Sequence, residues 1–194
     1  PRAGPLVAAA VILGEGVFIP GVRDSKKIRP AERERLAAEI RRRALAFGVG
    51  VVSPRWIDRW GMTRAVHTAM HRALAALDPP PDAIIVDAVR LDPIALRAHA
   101  ASLGLPMVGL GVPIRSFFKA EDLSHSVAAA SLIAKTARDA MMDRLARRYP
   151  VYGFSTNRGY GSAEHLARLL DHGACPHHRF SFARVPPSSV AVPA

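Results

Sequence analysis

Short apolar runs alternate along this chain with segments whose apolar residues recur at helical spacing, and this alternation limits the possible fold most strongly. The runs at 6–13 (LVAAAVIL) and 83–86 (AIIV) contain no polar residue, which is typical of strands covered on both faces. The segment 127–148 repeats apolar residues every three or four positions, which predicts a long helix that Ser126 is placed to cap. Strands that alternate with helices indicate an α/β fold with a mostly central sheet.

Shorter segments complete this prediction. Pro30 suits a first helical turn, and Leu36, Ile40 and Leu45 supply the apolar spacing of the helix that follows it. Further helices are predicted at 63–77, 92–104 and 163–173, and further strands at 48–52 and 105–114. The length suits one domain over 1–185, followed by a flexible tail over 186–194 that is rich in proline and serine.

The charge balance narrows the class of partner. The 194 residues include 27 Lys and Arg against 16 Asp and Glu, which gives a net charge of +11. This surplus favours a polyanionic partner, nucleic acid before an anionic membrane, with a soluble protein that is merely basic as the alternative. A single cysteine, Cys175, excludes an internal disulfide and suits a reducing cytoplasm. Because no apolar run approaches the roughly 20 residues that span a bilayer, no membrane association is expected.

Asp87 stands directly behind the apolar run at 83–86, at the carboxyl end of a predicted strand. Ligands of α/β proteins usually bind at this end of the strands, and carboxylate oxygens suit hard divalent cations. Asp87 is therefore a candidate metal ligand, and capping of the turn that follows it is the simpler alternative.

A second pair of carboxylates, Glu121 and Asp122, precedes the long predicted helix. Negative charge near a helix N-terminus is stabilised by the helix dipole, which explains both residues without a metal. They could equally bring a second carboxylate beside Asp87, and sequence spacing leaves both alternatives open.

The loop STNRGYGSAEH places Tyr160 between two glycines, with Arg158 ahead of it and His165 behind. An aromatic ring presented beside a cation suits stacking on a sugar or base of a nucleic acid. The alternative is a glycine-rich turn whose tyrosine packs inward.

Residue types that bind zinc gather near the C-terminus, at His172, Cys175, His177 and His178. A structural zinc site needs two paired ligand sets at regular spacing, and the sequence has no second set. We therefore expect no zinc at this cluster.

Seven segments follow one another over nearly the whole chain: AGPLVAAAVIL, DSKK, IIVDAV, SVAAASLIAKTARD, YPVYGF, RGYGS and HHRFSFARV. In this order they resemble the ribonuclease HII family, the type 2 ribonucleases H. The resemblance implies an α/β, ribonuclease H-like fold in which a mixed sheet is flanked by helices.

The resemblance also implies the residues of the site. Asp87 and Glu121 resemble ligands of two Mg²⁺ or Mn²⁺ ions at the scissile phosphate, with Glu121 standing where the family usually has the shorter aspartate. Tyr160 resembles a tyrosine that stacks on the sugar beside the RNA–DNA junction, and the DSKK lysines resemble phosphate contacts. The candidate substrate contacts are Tyr160, Lys26, Lys27 and Arg158.

The activity that the resemblance implies is hydrolysis of RNA in RNA–DNA hybrids, including single ribonucleotides in duplex DNA, by two-metal-ion catalysis. The products would carry 5′-phosphate and 3′-hydroxyl ends, and the enzyme is expected to be a cytoplasmic monomer. The alternative is an inactive fragment or a non-catalytic protein that binds RNA–DNA hybrids.

Members of the family carry an Asp-Glu pair and a Gly-Arg-Gly loop immediately before the segment that begins here at Pro1. The resemblance therefore implies that two metal ligands and the first strand, which lies between the runs at 6–13 and 83–86, are missing. We expect the chain by itself to be a fragment, inactive on hybrids and less stable than its parent.

Overall fold

The computed structural model describes residues 1–23, 25, 28–87, 97, 100–102, 104 and 111–186. The described strands form two sheets of two strands each. Strand β1 (Leu6–Leu13) pairs with β2 (Ala44–Val52), and β3 (Ile84–Asp87) lies parallel to β4 (Ile114–Phe117). The described helices are α1 (Pro30–Arg43), α2 (Pro54–Trp60), α3 (Met62–Ala75), α4 (Ala120–Leu123), α5 (His125–Arg148), a 3₁₀ helix (Pro150–Tyr152), α6 (Phe154–Asn157) and α7 (Ala163–His172).

The chain divides into two compact units. The first unit contains residues 1–6, 52–65 and 138–194, and the second contains residues 7–51 and 66–137. The first unit has one buried apolar cluster and the second unit has two. Tyr160 belongs to the first unit, and Asp87 and Glu121 belong to the second.

In the second unit, α1 packs its apolar face against the N-terminal half of α5. Leu36 and Ile40 are fully buried there, as the helical spacing predicts. Leu45 was expected on the same face, and this was wrong. The helix ends at Arg43 because Ala44 is already extended, with φ −68° and ψ 143°, so Leu45 lies in β2 and is 61% exposed.

Two glycines of β2 allow α3 to approach that strand closely. A Cβ added at Gly48 would lie 2.0 Å from the carbonyl oxygen of Ala73, and one at Gly50 would lie 1.8 Å from that of Ala69. Because neither backbone oxygen can move without displacing the helix, β2 accepts no side chain at these positions.

Helix α5 begins at His125, so the expectation that Ser126 caps it was wrong. Ser124 precedes the helix instead, and its Oγ accepts a hydrogen bond from the backbone N–H of Val127 at 3.5 Å. The imidazole Nε2 of His125 accepts the N–H of Ile19 at 2.9 Å, which ties the start of α5 to the segment after β1.

The first unit has an aromatic core around the segment from α5 to α7. Its buried members include Met142, Tyr149, Tyr152, Phe154 and Leu169. The predicted strand at 105–114 and helix at 92–104 lie largely outside the described residues. Of the described helices, none combines the length and apolar character needed to cross a membrane.

Candidate functional site

Asp87 is the last residue of β3 and is half-buried. Its Oδ1 accepts a hydrogen bond from the backbone N–H of Ala120, with 2.8 Å between the two atoms. Lys119, just before, adopts a left-handed conformation with φ +58°, which turns the chain into α4. This hydrogen bond joins the Asp87 side chain to the start of α4. It uses Oδ1 of the carboxylate and does not involve Oδ2.

A cavity of about 570 Å³ lies in the second unit beside this strand end. Its walls are mainly apolar and come from β1, α3, β3 and α5. Both Asp87 and Glu121 line it, so the structure brings the two predicted carboxylates to one cavity. Asp122, the neighbour of Glu121, is exposed. The polar residues of the lining are Asp82, Asp87, Glu121, Ser124, Ser126 and Ser131.

Two carboxylates at one cavity match the chemistry of a site for a hard divalent cation, because such cations take oxygen ligands. Alone, they supply fewer oxygens than such a cation takes. Within the described part of the chain, no group of three or more His, Cys, Asp or Glu residues is arranged to hold a metal ion. Lys26 and Lys27, the predicted phosphate contacts, lie outside the described residues.

The same cavity separates the two sheets. Residues 7–13 of β1 and all four residues of β3 line it, and each strand has one hydrogen-bonded neighbour among the described residues. Every residue of β1 is half-buried, although the run is wholly apolar and predicts a covered strand. The prediction of a strand between β1 and β3 agrees with this arrangement and stays a prediction.

Tyr160 belongs to the first unit, in the loop between α6 and α7. Its side chain is 52% exposed, so the alternative in which it packs inward was wrong. Gly159 has φ +76°, and a Cβ there would lie 2.5 Å from the carbonyl oxygen of Ala3. The carbonyl of Gly159 accepts the N–H groups of Arg2 and Ala3 at 2.6 and 3.2 Å. The loop is thus fixed against the chain at residues 2–3 while it presents the ring outward.

Arg138 supports this loop, a contact that the sequence did not predict. Its guanidinium carbon lies 5.6 Å from the centroid of the Tyr160 ring, in cation–π range. The same group donates hydrogen bonds to the carbonyls of Ala3, Pro5 and Arg158 at 3.0–3.2 Å. Burial lowers the pKa of Arg138 from its usual value.

Arg158 also contacts α5 in the first unit. Its Nη1 donates to the carboxylate of Asp143 and to the carbonyl of Asp139. Its backbone is left-handed, with φ +51°, and ends α6. Arg158 therefore has a structural role in the loop, and its predicted contact with substrate stays a prediction.

Of the histidines near the C-terminus, His165 and His178 form a pair, and the described residues contain no group of three or more His, Cys, Asp or Glu arranged to hold a metal ion. His165 and His178 are fully buried, and their Nε2 atoms lie 3.1 Å apart. Burial raises the pKa of the Cys175 thiol to about 11, which disfavours the thiolate that a metal would require. His172 is exposed, and His177 packs edge-on against Tyr149.

Comparison with known proteins identifies the sequence family. The family model described as Ribonuclease HII matches residues 1–185. The Ribonuclease HII of Nitratidesulfovibrio vulgaris is 44% identical over 190 residues, which cover 97% of this chain and 84% of that protein. That of Ruminiclostridium cellulolyticum is 41% identical over 184 residues, covering 95% of this chain. The chain spans about two thirds of the length of the relatives from R. cellulolyticum and Geobacillus thermodenitrificans, at 66% and 65%.

Solved structures agree with this similarity. The crystal structure of ribonuclease H2 from Pyrococcus horikoshii superposes with a TM-score of 0.79 at 25% identity, covering 95% of this chain and 90% of that one. The ribonuclease HII of Archaeoglobus fulgidus, solved in complex with PCNA, gives a TM-score of 0.69 at 27% identity, with coverages of 93% and 89%. The predicted α/β, ribonuclease H-like fold is confirmed.

Proposed function

The chain belongs to the ribonuclease HII family, and we propose that it acts as an endoribonuclease on RNA in RNA–DNA hybrids, including single ribonucleotides in duplex DNA. The observation that carries this proposal is the placement of Asp87 and Glu121 on one cavity at the carboxyl end of β3. The net charge of +11 supports a nucleic-acid substrate, because Lys and Arg contacts to phosphate dominate such affinity.

In this proposal Asp87 and Glu121 provide carboxylate oxygens to two divalent cations, Mg²⁺ or Mn²⁺. When bound, such ions generate a nucleophilic water and neutralise charge at the leaving 3′-oxygen. The N–H of Ala120 orients the Asp87 carboxylate through Oδ1 and leaves its second oxygen for a ligand. Glu121 follows Ala120 directly, so the same hydrogen bond sets the position of the segment that carries both residues.

We assign contact with the substrate to Tyr160, whose exposed ring would stack on a sugar or base. The support is the rigidity of its loop, which is held by Gly159 and Arg138. Lys26 and Lys27 are proposed as phosphate contacts on the resemblance of DSKK alone. Arg158 is retained as a weaker candidate, because Asp143 already engages its guanidinium.

A strand between β1 and β3 is part of the same proposal. It would pair with both strands, which would join the two sheets into one and fill part of the cavity of the second unit. The support is that the apolar run of β1, which suits a strand covered on both faces, is only half-buried along its whole length.

The test is an incision assay on a duplex with one embedded ribonucleotide, using the full-length product of the gene with Mg²⁺ or Mn²⁺. We expect incision that leaves 5′-phosphate and 3′-hydroxyl ends, and loss of incision when the cations are chelated. A folded protein that binds the duplex but never incises it would favour the alternative, a non-catalytic hybrid-binding protein.

A further inference from the structure

A line of hydrogen bonds through two buried imidazoles ends on the backbone of Tyr160. The N–H of Cys175 lies 3.0 Å from Nδ1 of His178, and Nε2 of His178 lies 3.1 Å from Nε2 of His165. Nδ1 of His165 lies 2.7 Å from the carbonyl oxygen of Tyr160. All four residues belong to the first unit.

The Tyr160 end of this line sets the arrangement of protons in both rings. At one end, the carbonyl of Tyr160 only accepts, so Nδ1 of His165 must carry its proton and Nε2 must be bare. At the other end, Nδ1 of His178 lies 3.0 Å from the backbone nitrogen of Cys175 and 3.3 Å from the carbonyl oxygen of Cys175, so the contacts there fit either tautomer of His178. Because Nε2 of His165 is bare, Nε2 of His178 must carry its proton and donate to it, and Nδ1 of His178 then accepts the N–H of Cys175. The Tyr160 carbonyl therefore fixes both neutral tautomers.

The surroundings keep both rings uncharged. Phe154 packs against both, with ring centroids 5.6 Å from His165 and 5.5 Å from His178, and Tyr152 lies edge-on to His178 at 4.7 Å. Both imidazoles are inaccessible to solvent. The charged and titratable groups that face them are Arg2 toward His165, and His177, Cys175 and Tyr152 toward His178.

We propose that His165 and His178 are positioning residues for substrate binding: through the Tyr160 carbonyl they hold the exposed ring in its stacking position. This inference rests on the proposed role of Tyr160. Nδ1–H of His165 donates the hydrogen bond to the Tyr160 carbonyl. His178 donates to Nε2 on the other side of the same ring and thereby fixes the orientation of the ring. A side chain at 165 without a donor at the Nδ1 position would take this partner from the carbonyl and release the peptide between Tyr160 and Gly161, while Gly159 would stay held by Arg2 and Ala3.

Two substitutions separate the contact from the packing. In His165→Asn the amide nitrogen stands near the position of Nδ1 and can still donate to Tyr160, whereas in His165→Gln it stands near Nε2. Asn is one methylene smaller than Gln, so a loss of packing alone would affect His165→Asn more than His165→Gln, which is the opposite of the order expected here. We expect His165→Gln to raise KM for a duplex with one ribonucleotide by about fivefold or more, toward the value of Tyr160→Ala, with kcat little changed. His165→Asn should recover most of this affinity. His172→Gln, an exposed position on the same helix, is the matched control.

The double variant Tyr160→Ala with His165→Gln decides whether the histidine acts through the tyrosine. We expect it to bind no more weakly than Tyr160→Ala alone. If Tyr160→Ala raises KM and His165→Gln does not, the positioning role is overturned and the stacking role stands. If Tyr160→Ala leaves KM unchanged, the stacking role fails and with it the claim on binding.

A spectroscopic readout tests the arrangement independently of activity. Long-range ¹H–¹⁵N spectra should show the Nδ1–H tautomer at His165 and the Nε2–H tautomer at His178. Exchange of the Tyr160 amide, which donates to the carbonyl of Asn157 at 2.8 Å, should be faster in His165→Gln than in His165→Asn. The opposite tautomers, or equal exchange in both variants, would overturn the inference.

Discussion

Asp87 accepts a hydrogen bond from the backbone N–H of Ala120, with 2.8 Å between Oδ1 and the nitrogen. The end of β3 is thereby joined to the first turn of α4, and the residue after Ala120 is Glu121. In the proposed function this carboxylate has two tasks, the hydrogen bond to Ala120 and the binding of a cation. The two tasks respond differently to substitution, which makes them separable.

Asp87→Asn should nearly abolish incision and leave hybrid affinity largely intact. The amide oxygen can still accept the Ala120 N–H, but it is a poor ligand for a divalent cation. Asp87→Ala should lose incision and also about 0.5–2 kcal/mol of stability, because the N–H loses its partner. Incision rates, duplex affinity and urea unfolding of the two variants measure this. Asp87→Asn activity within a few-fold of wild type would remove Asp87 from the mechanism.

Tyr160→Ala should weaken incision at a single ribonucleotide by about 1–3 kcal/mol of transition-state free energy, if stacking is lost. Tyr160→Phe should retain most activity, because the ring face makes the contact. The ratio of kcat/KM values for the two variants measures the effect. Since the side chain is 52% exposed, neither variant should unfold the protein, and unfolding of Tyr160→Ala would argue for a packing role.

Gly48→Ala should destabilise the second unit by more than about 2 kcal/mol. The new Cβ would lie 2.0 Å from the carbonyl oxygen of Ala73, which belongs to the backbone of α3. Gly14→Ala is the control, because its nearest neighbour would be a side-chain carbon of Val17 at 3.5 Å, and it should change stability by less than about 1 kcal/mol. Equal unfolding free energies for both variants would contradict this account of the β2–α3 contact.

Stability should fall as the pH is lowered from about 6.5 toward 4. Burial lowers the pKa of His178 to about 4, whereas an unfolded histidine titrates near 6.5. Between these pH values His178 is protonated in the unfolded chain and neutral in the folded chain. Each pH unit of acidification therefore lowers the free energy of unfolding by about 1.4 kcal/mol. Burial lowers the pKa of His165 as well, and this adds to the slope. Urea unfolding at pH 7, 6 and 5 measures it, and His178→Gln should show a smaller slope than wild type. The same slope in both proteins would contradict this assignment.

The sequence predicted those features that depend on local pattern. Asp87 at the end of a strand, the exposed loop of Tyr160 and the apolar faces of α1 and α5 follow from periodicity and turn residues. Leu45 was misplaced because a short apolar run after a helix fits either a last helical turn or a new strand. The cap was misplaced because Ser124 and Ser126 both precede the apolar stripe of the helix, and the sequence does not show which of the two ends the extended backbone.

No local sequence pattern predicted the contacts between residues that are distant in sequence. Arg138 meets Tyr160 and the carbonyl of Ala3 across 22 and 135 positions of sequence. His165 meets His178 only because the two segments fold together around an aromatic core. From the sequence, His178 was considered only as a member of a cluster where no zinc was expected, and it was not paired with His165. These pairings are tertiary, and a single sequence contains no periodicity that encodes them.

The central claim is that Asp87 and Glu121 hold divalent cations, and metal-directed cleavage of the polypeptide tests it most directly. Fe²⁺ would replace Mg²⁺ in the full-length gene product, and ascorbate with peroxide would cut the backbone near the bound ion. We predict fragments that end near residues 87 and 120–121, suppressed by excess Mg²⁺ and absent in the Asp87→Asn, Glu121→Gln double variant but present in Asp122→Asn. Cuts elsewhere that Mg²⁺ suppresses, or the same cuts in the double variant, would contradict the claim.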